Sequence, residues 1–167
     1  MVESDSGTTM VEPAWRPSPK ARALWAINAA LMWVPIVIAQ VVWGVLDSGR
    51  IGWHIAAAVA TVVVAGLHVG VVPLWRYRVH RWEISDTAVH TRSGWFTQER
   101  RIAPISRIQT VDTERGPIDR WLGLATVTVT TASSAGAVEI TALDTAVADD
   151  TVARLTAIAG RNGADAT

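Results

Sequence analysis

The side chains able to do acid–base chemistry are few: His80, His90, Glu83, Asp112, Glu114 and Asp119. General acid–base catalysis needs such groups within hydrogen-bond reach of one reacting site. One pair has a defined spacing. A hairpin turning at Asp86-Thr87 sets residue 83 opposite residue 90, so Glu83 and His90 face each other across two strands. The plainer reading of that pair is a single exposed ion pair. The acids of "DTERGPID" are interleaved with Arg115 and Arg120, which fits a solvated face. No nucleophile–His–acid set, phosphate loop or metal-ligand spacing occurs. Cysteine is absent, which removes disulfides, thiolate metal sites and Cys nucleophiles. The expectation is a non-enzyme with no cofactor and no bound metal.

Binding chemistry is better represented. The stretch "VVPLWRYRVHRWEIS", residues 71–85, interleaves arginines with aromatic rings. Such a pattern serves a nucleic-acid surface or marks the point where a chain leaves a membrane. Charge separates the two. Lys and Arg number 15, Asp and Glu number 15, and the formal net charge is zero. A nucleic-acid-binding domain carries a basic excess, so no nucleic-acid partner is expected. Half of the residues are hydrophobic and 18% are charged, more apolar than an average soluble domain.

The elements that position these residues divide the chain. Residues 1–22 are polar and carry Pro13, Pro17 and Pro19, which reads as a disordered tail. Residues 23–46 and 51–75 contain no Asp, Glu, Lys or Arg. A helix of 24 residues spans roughly 36 Å, enough to cross a bilayer with some tilt. Joined by "DSGR", the two runs read as a transmembrane helical hairpin. A hairpin buried in a soluble protein is disfavoured, since the remaining residues could not cover two helices apolar on all sides. A cleaved signal peptide has a shorter apolar core. Trp25 and Trp43 bracket the first run, Trp53 and Trp75 the second. Each pair is separated by roughly 27 to 33 Å of helix, close to the bilayer core thickness. Trp33 falls mid-membrane, outside that belt. Arg16, Lys20 and Arg22 precede the first span, and Arg76, Arg78 and Arg81 follow the second. The positive-inside rule then places both termini in the cytoplasm, in a multi-pass protein of the cell membrane.

Within the hairpin, residues whose numbers sum to about 97 share a depth. Asn28 and His68 sum to 96, which admits two readings: an interhelical hydrogen bond between them, or each side chain bonding to backbone or snorkelling. Gly66 and Gly70 form a small-xxx-small pair on the side of the helix opposite His68. If His68 faces the first helix, the glycine face is free for another subunit or protein. Pro35 should kink the first helix. The spans hold no buried charges of the kind an ion pathway uses.

From residue 76 the hydropathy alternates with period two. "YRVHRWEIS", "AVHTRSGW", "FTQERRIA", "SRIQTVDTE", "ATVTVTT" and "AVEITA" read as successive strands. The last element is an amphipathic helix. Asp144 or Thr145 caps it, Val152, Leu155, Ile158 and Ala159 form its apolar stripe, and Gly160 ends it. The fold class is therefore α+β. A two-helix membrane hairpin precedes a bent antiparallel sheet or open barrel over residues 76–161, with a tail at 162–167.

Residues 99–131 carry Arg101-Ile102 before a proline turn, "RIQTV" at 107–111 and "GPIDRWLGLATV" at 116–127. This combination closely resembles the membrane-bound bacterial pleckstrin-homology (PH) family, the YdbS-like proteins, and the likeness extends over about residues 20–161. Trp121 and Ala125 depart from it, where Leu or Phe and Gly are more usual. Read physically, the signature of Arg107, Ile108, Gln109, Gly116, Pro117, Trp121, Leu122, Gly123 and Leu124 determines the fold. Ile108 and Val111 feed the core. Gly116-Pro117 starts a turn. Ile118, Trp121, Leu122 and Leu124 plug the barrel, and Gly123 lets the chain reverse.

The resemblance implies an interaction or scaffold module at the cytoplasmic membrane face. Its partners would be a larger protein with several PH-like repeats, or further copies of the chain. The alternative is anionic-lipid or small-ligand binding by the barrel. The first hairpin loop, "EISDTAVH", is short and acidic, which argues against a specific inositol-phosphate site. Headgroup contact through Arg16, Lys20, Arg22, Arg76, Arg78 and Arg81 needs charge alone.

Overall fold

A computed structural model describes residues 12–94, 97–132 and 136–164. Two long helices come first, α1 (Ala21–Leu46) and α2 (Ile51–Val79), joined through a single 3-10 turn at Ser48–Arg50. Along their apolar middles both are left almost wholly uncovered by the rest of the chain. Leu31, Met32, Val45, Leu46, Val62 and Leu67 are all more than half exposed. A continuous apolar surface of this size is made for a hydrocarbon environment. α1 runs on through Pro35.

α2 does not end at Trp75. It stays helical to Val79, and the first strand starts at Arg81 rather than Tyr77. The alternation in "YRV" competes with a helical face, and the face wins. Pro73 and Val79 are buried, and the His80 N–H closes the last turn on the Arg76 carbonyl at 2.9 Å.

The domain that follows holds two three-stranded antiparallel sheets. The first is β1 (Arg81–Ile84), β2 (Ala88–Ser93) and β3 (Glu99–Pro104); the second is β4 (Ile108–Glu114), β5 (Leu124–Thr131) and β6 (Val138–Asp144). The short helix α3 (Pro117–Leu122) links β4 to β5, and α4 (Thr145–Ala164) follows β6. The β1–β2 register sets Glu83 opposite His90, as the turn position predicts. Alternation is clean in β5, where Val127 and Val129 are fully buried and Thr126, Thr128 and Thr130 are half-buried. Val138, Ile140, Leu143, Ile105 and Val89 meet them, and Ala148, Leu155 and Ile158 of α4 close the core. Burying each such aliphatic side chain contributes about 1.5–3 kcal/mol. Ile108, Val111, Val152 and Ala159 pack against this core, half-buried.

Three further boundaries differ from expectation. Residues 12–20 are not a free tail but a strap laid along the domain. Glu12 pairs with Arg92, and the Ala14 N–H donates to Glu83 Oε2 at 3.1 Å. Trp15 exchanges two backbone hydrogen bonds with Trp82 at 2.9 and 3.0 Å, and their rings meet edge to face 4.8 Å apart. The strap holds because its prolines are themselves apolar: Pro13 and Pro17 are buried. Next, α4 passes through Gly160 to Ala164, because glycine weakens a helix without ending it. Finally, β3 begins at Glu99, and Gly94 has φ +109°, where an added Cβ would strike the Thr97 carbonyl. Trp95 and Phe96 of the expected strands, the Ser133-Ser134-Ala135 turn and residues 1–11 and 165–167 lie outside the described residues.

Candidate functional site at the junction of hairpin and domain

The basic–aromatic stretch forms a packed junction between membrane helices and domain. The Arg76 guanidinium lies 4.5 Å over the Trp25 ring, and the His80 ring is 5.0 Å from Trp25, tilted by 52°. His80 Nδ1 donates to the Arg76 carbonyl at 3.1 Å, which fixes its tautomer. Burial pushes the His80 pKa down to about 4; the Arg76 charge adds to this, and the backbone hydrogen bond opposes it. Arg22 stacks 5.2 Å over Tyr77 and donates to the Pro19 carbonyl at 3.3 Å. Beneath these charges lies a small apolar cluster of Ala21, Leu24, Trp25, Leu124 and Ala142, with Tyr77, Ile118 and Leu122 against it.

A bulge aims the strand end at this cluster. The β5–β6 register slips between Ala125 and Val127. Opposite the slip Ala142 adopts φ +56°, a conformation an L-residue rarely takes. Its methyl is fully buried, and its carbonyl accepts the Ser18 N–H of the strap at 2.9 Å. The bulge thereby ties strap, α1 and β6 together.

The six basic residues expected at lipid headgroups therefore separate into two sets. Lys20 pairs with Asp144 at 3.2 Å, while Arg22 and Arg76 spend their charge on rings. Both partners of the lysine pair are substantially exposed, so the pair is worth little. The side chains of Arg16, Arg78 and Arg81 have no partner among the described residues.

The signature residues from Gly116 on build the other side of the junction, while Arg107 and Gln109 lie at the opposite end of the second sheet. The Arg107 carbonyl accepts the Ala132 N–H at 3.0 Å, and Gln109 sits exposed at a register slip in β4. Asp119 accepts the Gly116 N–H at 3.0 Å, and Pro117 opens α3, where its missing N–H costs nothing. Gly123 takes φ +69°. Its carbonyl receives both the backbone N–H of Thr145 at 3.1 Å and its hydroxyl at 3.0 Å. The Thr145 hydroxyl is thus spent on Gly123. Leu124 is fully buried, and Ile118 and Leu122 face the junction cluster. Trp121 does not plug the barrel: it is 78% exposed. The main core takes its indole from Trp82 of β1, packed with strand aliphatics and the apolar stripe of α4.

Inside the hairpin, the Asn28–His68 bond does not form. Trp33 Nε1 donates to His68 Nδ1 at 3.1 Å instead, and Asn28 is exposed. The depth is similar, but position 28 lies about 140° around α1 from position 33 at 100° per residue. Trp33 thus has a role that the interfacial belt does not supply. Gln40 Nε2 donates to the Thr61 hydroxyl at 2.5 Å, and His54 Nε2 donates to the Asp47 carbonyl at 2.5 Å. The polar rungs of α2 fall at 54, 61 and 68, and those of α1 at 33 and 40, all seven apart. That heptad spacing was the sequence signal for this seam. With His68 turned toward α1, Gly66 and Gly70 are exposed, and a Cβ added at either meets no atom within 4 Å.

Three of the acid–base candidates make contacts within the fold. Glu83 anchors the strap, Asp119 holds α3, and Asp112 accepts the Thr110 hydroxyl at 3.0 Å. Among the described residues no cluster of three or more His, Asp and Glu side chains is arranged to hold a metal.

Residues 23–158 match the family model described as Bacterial PH domain. The chain is 29% identical over 158 residues to a Bacillus subtilis (strain 168) transmembrane protein, YdbS, an alignment covering 86% of this chain and 93% of that protein. No solved structure matches.

Proposed function

Because this chain belongs to the bacterial PH domain family, we propose that it is a non-enzymatic interaction module held at the cytoplasmic face of the cell membrane. There it assembles with other PH-domain membrane proteins, a larger multi-repeat partner or further copies of itself. The observation that carries this reading is the unpartnered glycine face of α2. Gly66 and Gly70 leave open space on a helix whose opposite side is committed to α1. Small residues let a second helix approach closely enough for backbone packing, the main attraction available between helices in lipid. The same helix continues without spacer into the domain, so contact made in the membrane would also fix how neighbouring domains face one another. Both termini lie on the cytoplasmic side in this reading, because the basic residues flank the hairpin ends and the loop has only Arg50 beside Asp47.

Purification in mild detergent followed by mass spectrometry tests the proposal. A second PH-domain membrane protein, or a stable oligomer, should accompany the wild type and be lost from Gly66→Leu/Gly70→Leu. Recovery of a monomer alone from the wild type overturns it.

A second reading, anionic-lipid binding, is favoured by Arg16, Arg78 and Arg81, whose charges are unspent among the described residues. Each contributes on the order of 1 kcal/mol at an anionic surface. Melting of the full chain in vesicles with and without anionic lipid tests it. An equal response from wild type and Arg78→Gln/Arg81→Gln rejects it.

A further inference from the structure

Trp121 is the most exposed large apolar side chain outside α1 and α2 among the described residues, at 78%. A tryptophan buries some 150–250 Å² when covered, so leaving it in water is costly. Its helix, α3, is not placed at random. Ile118 and Leu122 pack against Ala21, Leu24 and Trp25 at the start of α1, and Tyr77 near the end of α2 joins the same cluster. On α3, Trp121 lies about 60° around the axis from Ile118, flanking the buried face rather than opposing it.

The depth of that cluster follows from the hairpin. About 20 residues cross the hydrocarbon core. Counted from the loop, the cytoplasmic edge of the core falls near residue 26 on α1; the cross-helix bonds Trp33–His68 and Gln40–Thr61, whose residue numbers each sum to 101, set Trp75 of α2 at that same depth. The headgroup layer beyond it is about 5–8 Å thick, a few residues of helix. Leu24, Trp25, Arg76 and Tyr77 fall within that layer, and so does the side of α3 packed against them. Indoles prefer this layer, with the ring half buried and the N–H hydrated.

We propose that Trp121 is a membrane anchor of the domain: its indole sits in the cytoplasmic headgroup layer and adds a third contact beside the two helices. The occupant of the surface around Trp121 is lipid, not protein, and the contact needs no second chain. It is independent of the assembly proposed above.

The chain contains no cysteine, so Trp121→Cys labels at one site. The full chain, labelled with bimane, is reconstituted in phosphatidylcholine–phosphatidylglycerol vesicles. Ala132→Cys is the reference: it is exposed and lies at the far end of β5 from Leu124, about 26 Å along the strand. The label at 121 should be quenched by lipids spin-labelled at the headgroup or upper chain. Its iodide quenching should be several-fold weaker than at 132. Iodide quenching equal to that at 132, without quenching by the lipids, overturns the proposal. So does a label shielded from both quenchers, since a protein then covers the site. The unlabelled variant Trp121→Phe provides a check that keeps an aromatic ring and the packing. It should lower the share of tryptophan emission quenched by brominated lipid; an unchanged share counts against the anchor.

Discussion

Trp33 and His80 show how single side chains are set by their surroundings. Trp33→Phe keeps the ring but leaves His68 Nδ1 without its donor. A loss of about 0.6 kcal/mol, and no more than about 1.7, is expected in detergent melting, with Asn28→Ala close to wild type. His80 yields a pH dependence. Its folded pKa, about 4, lies below the ordinary 6.5, so the unfolded chain takes up the proton first. This contribution to stability is complete above pH 6.5 and is lost as pH falls toward 4. A melting series from pH 7.5 to 4.5 should decline, and His80→Gln should flatten part of that slope; an unchanged slope would mean other groups set it. At this scale the sequence was partly legible. The Glu83–His90 register followed from one turn, because period two leaves no choice once the turn is placed. The partner of His68 did not, because depth and helix face must agree together, and the sum of residue numbers fixes depth alone.

Elements are joined by a few residues doing backbone work. Gly123 at φ +69° turns α3 into β5, and an added Cβ would approach only Lys20 Nζ, at 3.8 Å. Gly123→Ala therefore tests conformation with little steric cost, and chemical denaturation should show a loss of about 1–2 kcal/mol. Leu155 on α4 is fully buried in the main core. Leu155→Ala should cost about 2–5 kcal/mol by transfer and cavity terms, whereas Ala157→Ser on the exposed face should change little. The strands and the apolar stripe of α4 were legible because each carries its own period, and the two membrane helices because their charge-free runs are long enough to span a bilayer. The strap was not. Proline-rich polar composition describes an unfolded chain well, and nothing local reveals that Trp15 will meet Trp82 far along the sequence. Trp121 stands outside the core for a related reason: a tryptophan in an apolar turn reads as core, and nothing local reveals that the core already holds Trp82.

The whole molecule is a membrane hairpin and a PH-family domain built as one piece. A reporter fused after Thr167 should be active only in its cytoplasmic form, and moving positive charge into the loop at 47–50 while neutralising Arg76, Arg78 and Arg81 should weaken that preference. The mechanical consequence lies in the strap. The chain crosses between domain and hairpin twice, once inward where Ser18, held by Ala142, leads to Ala21, and once outward where α2 becomes β1. A body hung from one pivot swivels freely; one hung from two can rock only about the line between them. One backbone cut also fails to release it. A protease nicking either crossing would leave a domain still fastened to its membrane helices by the other.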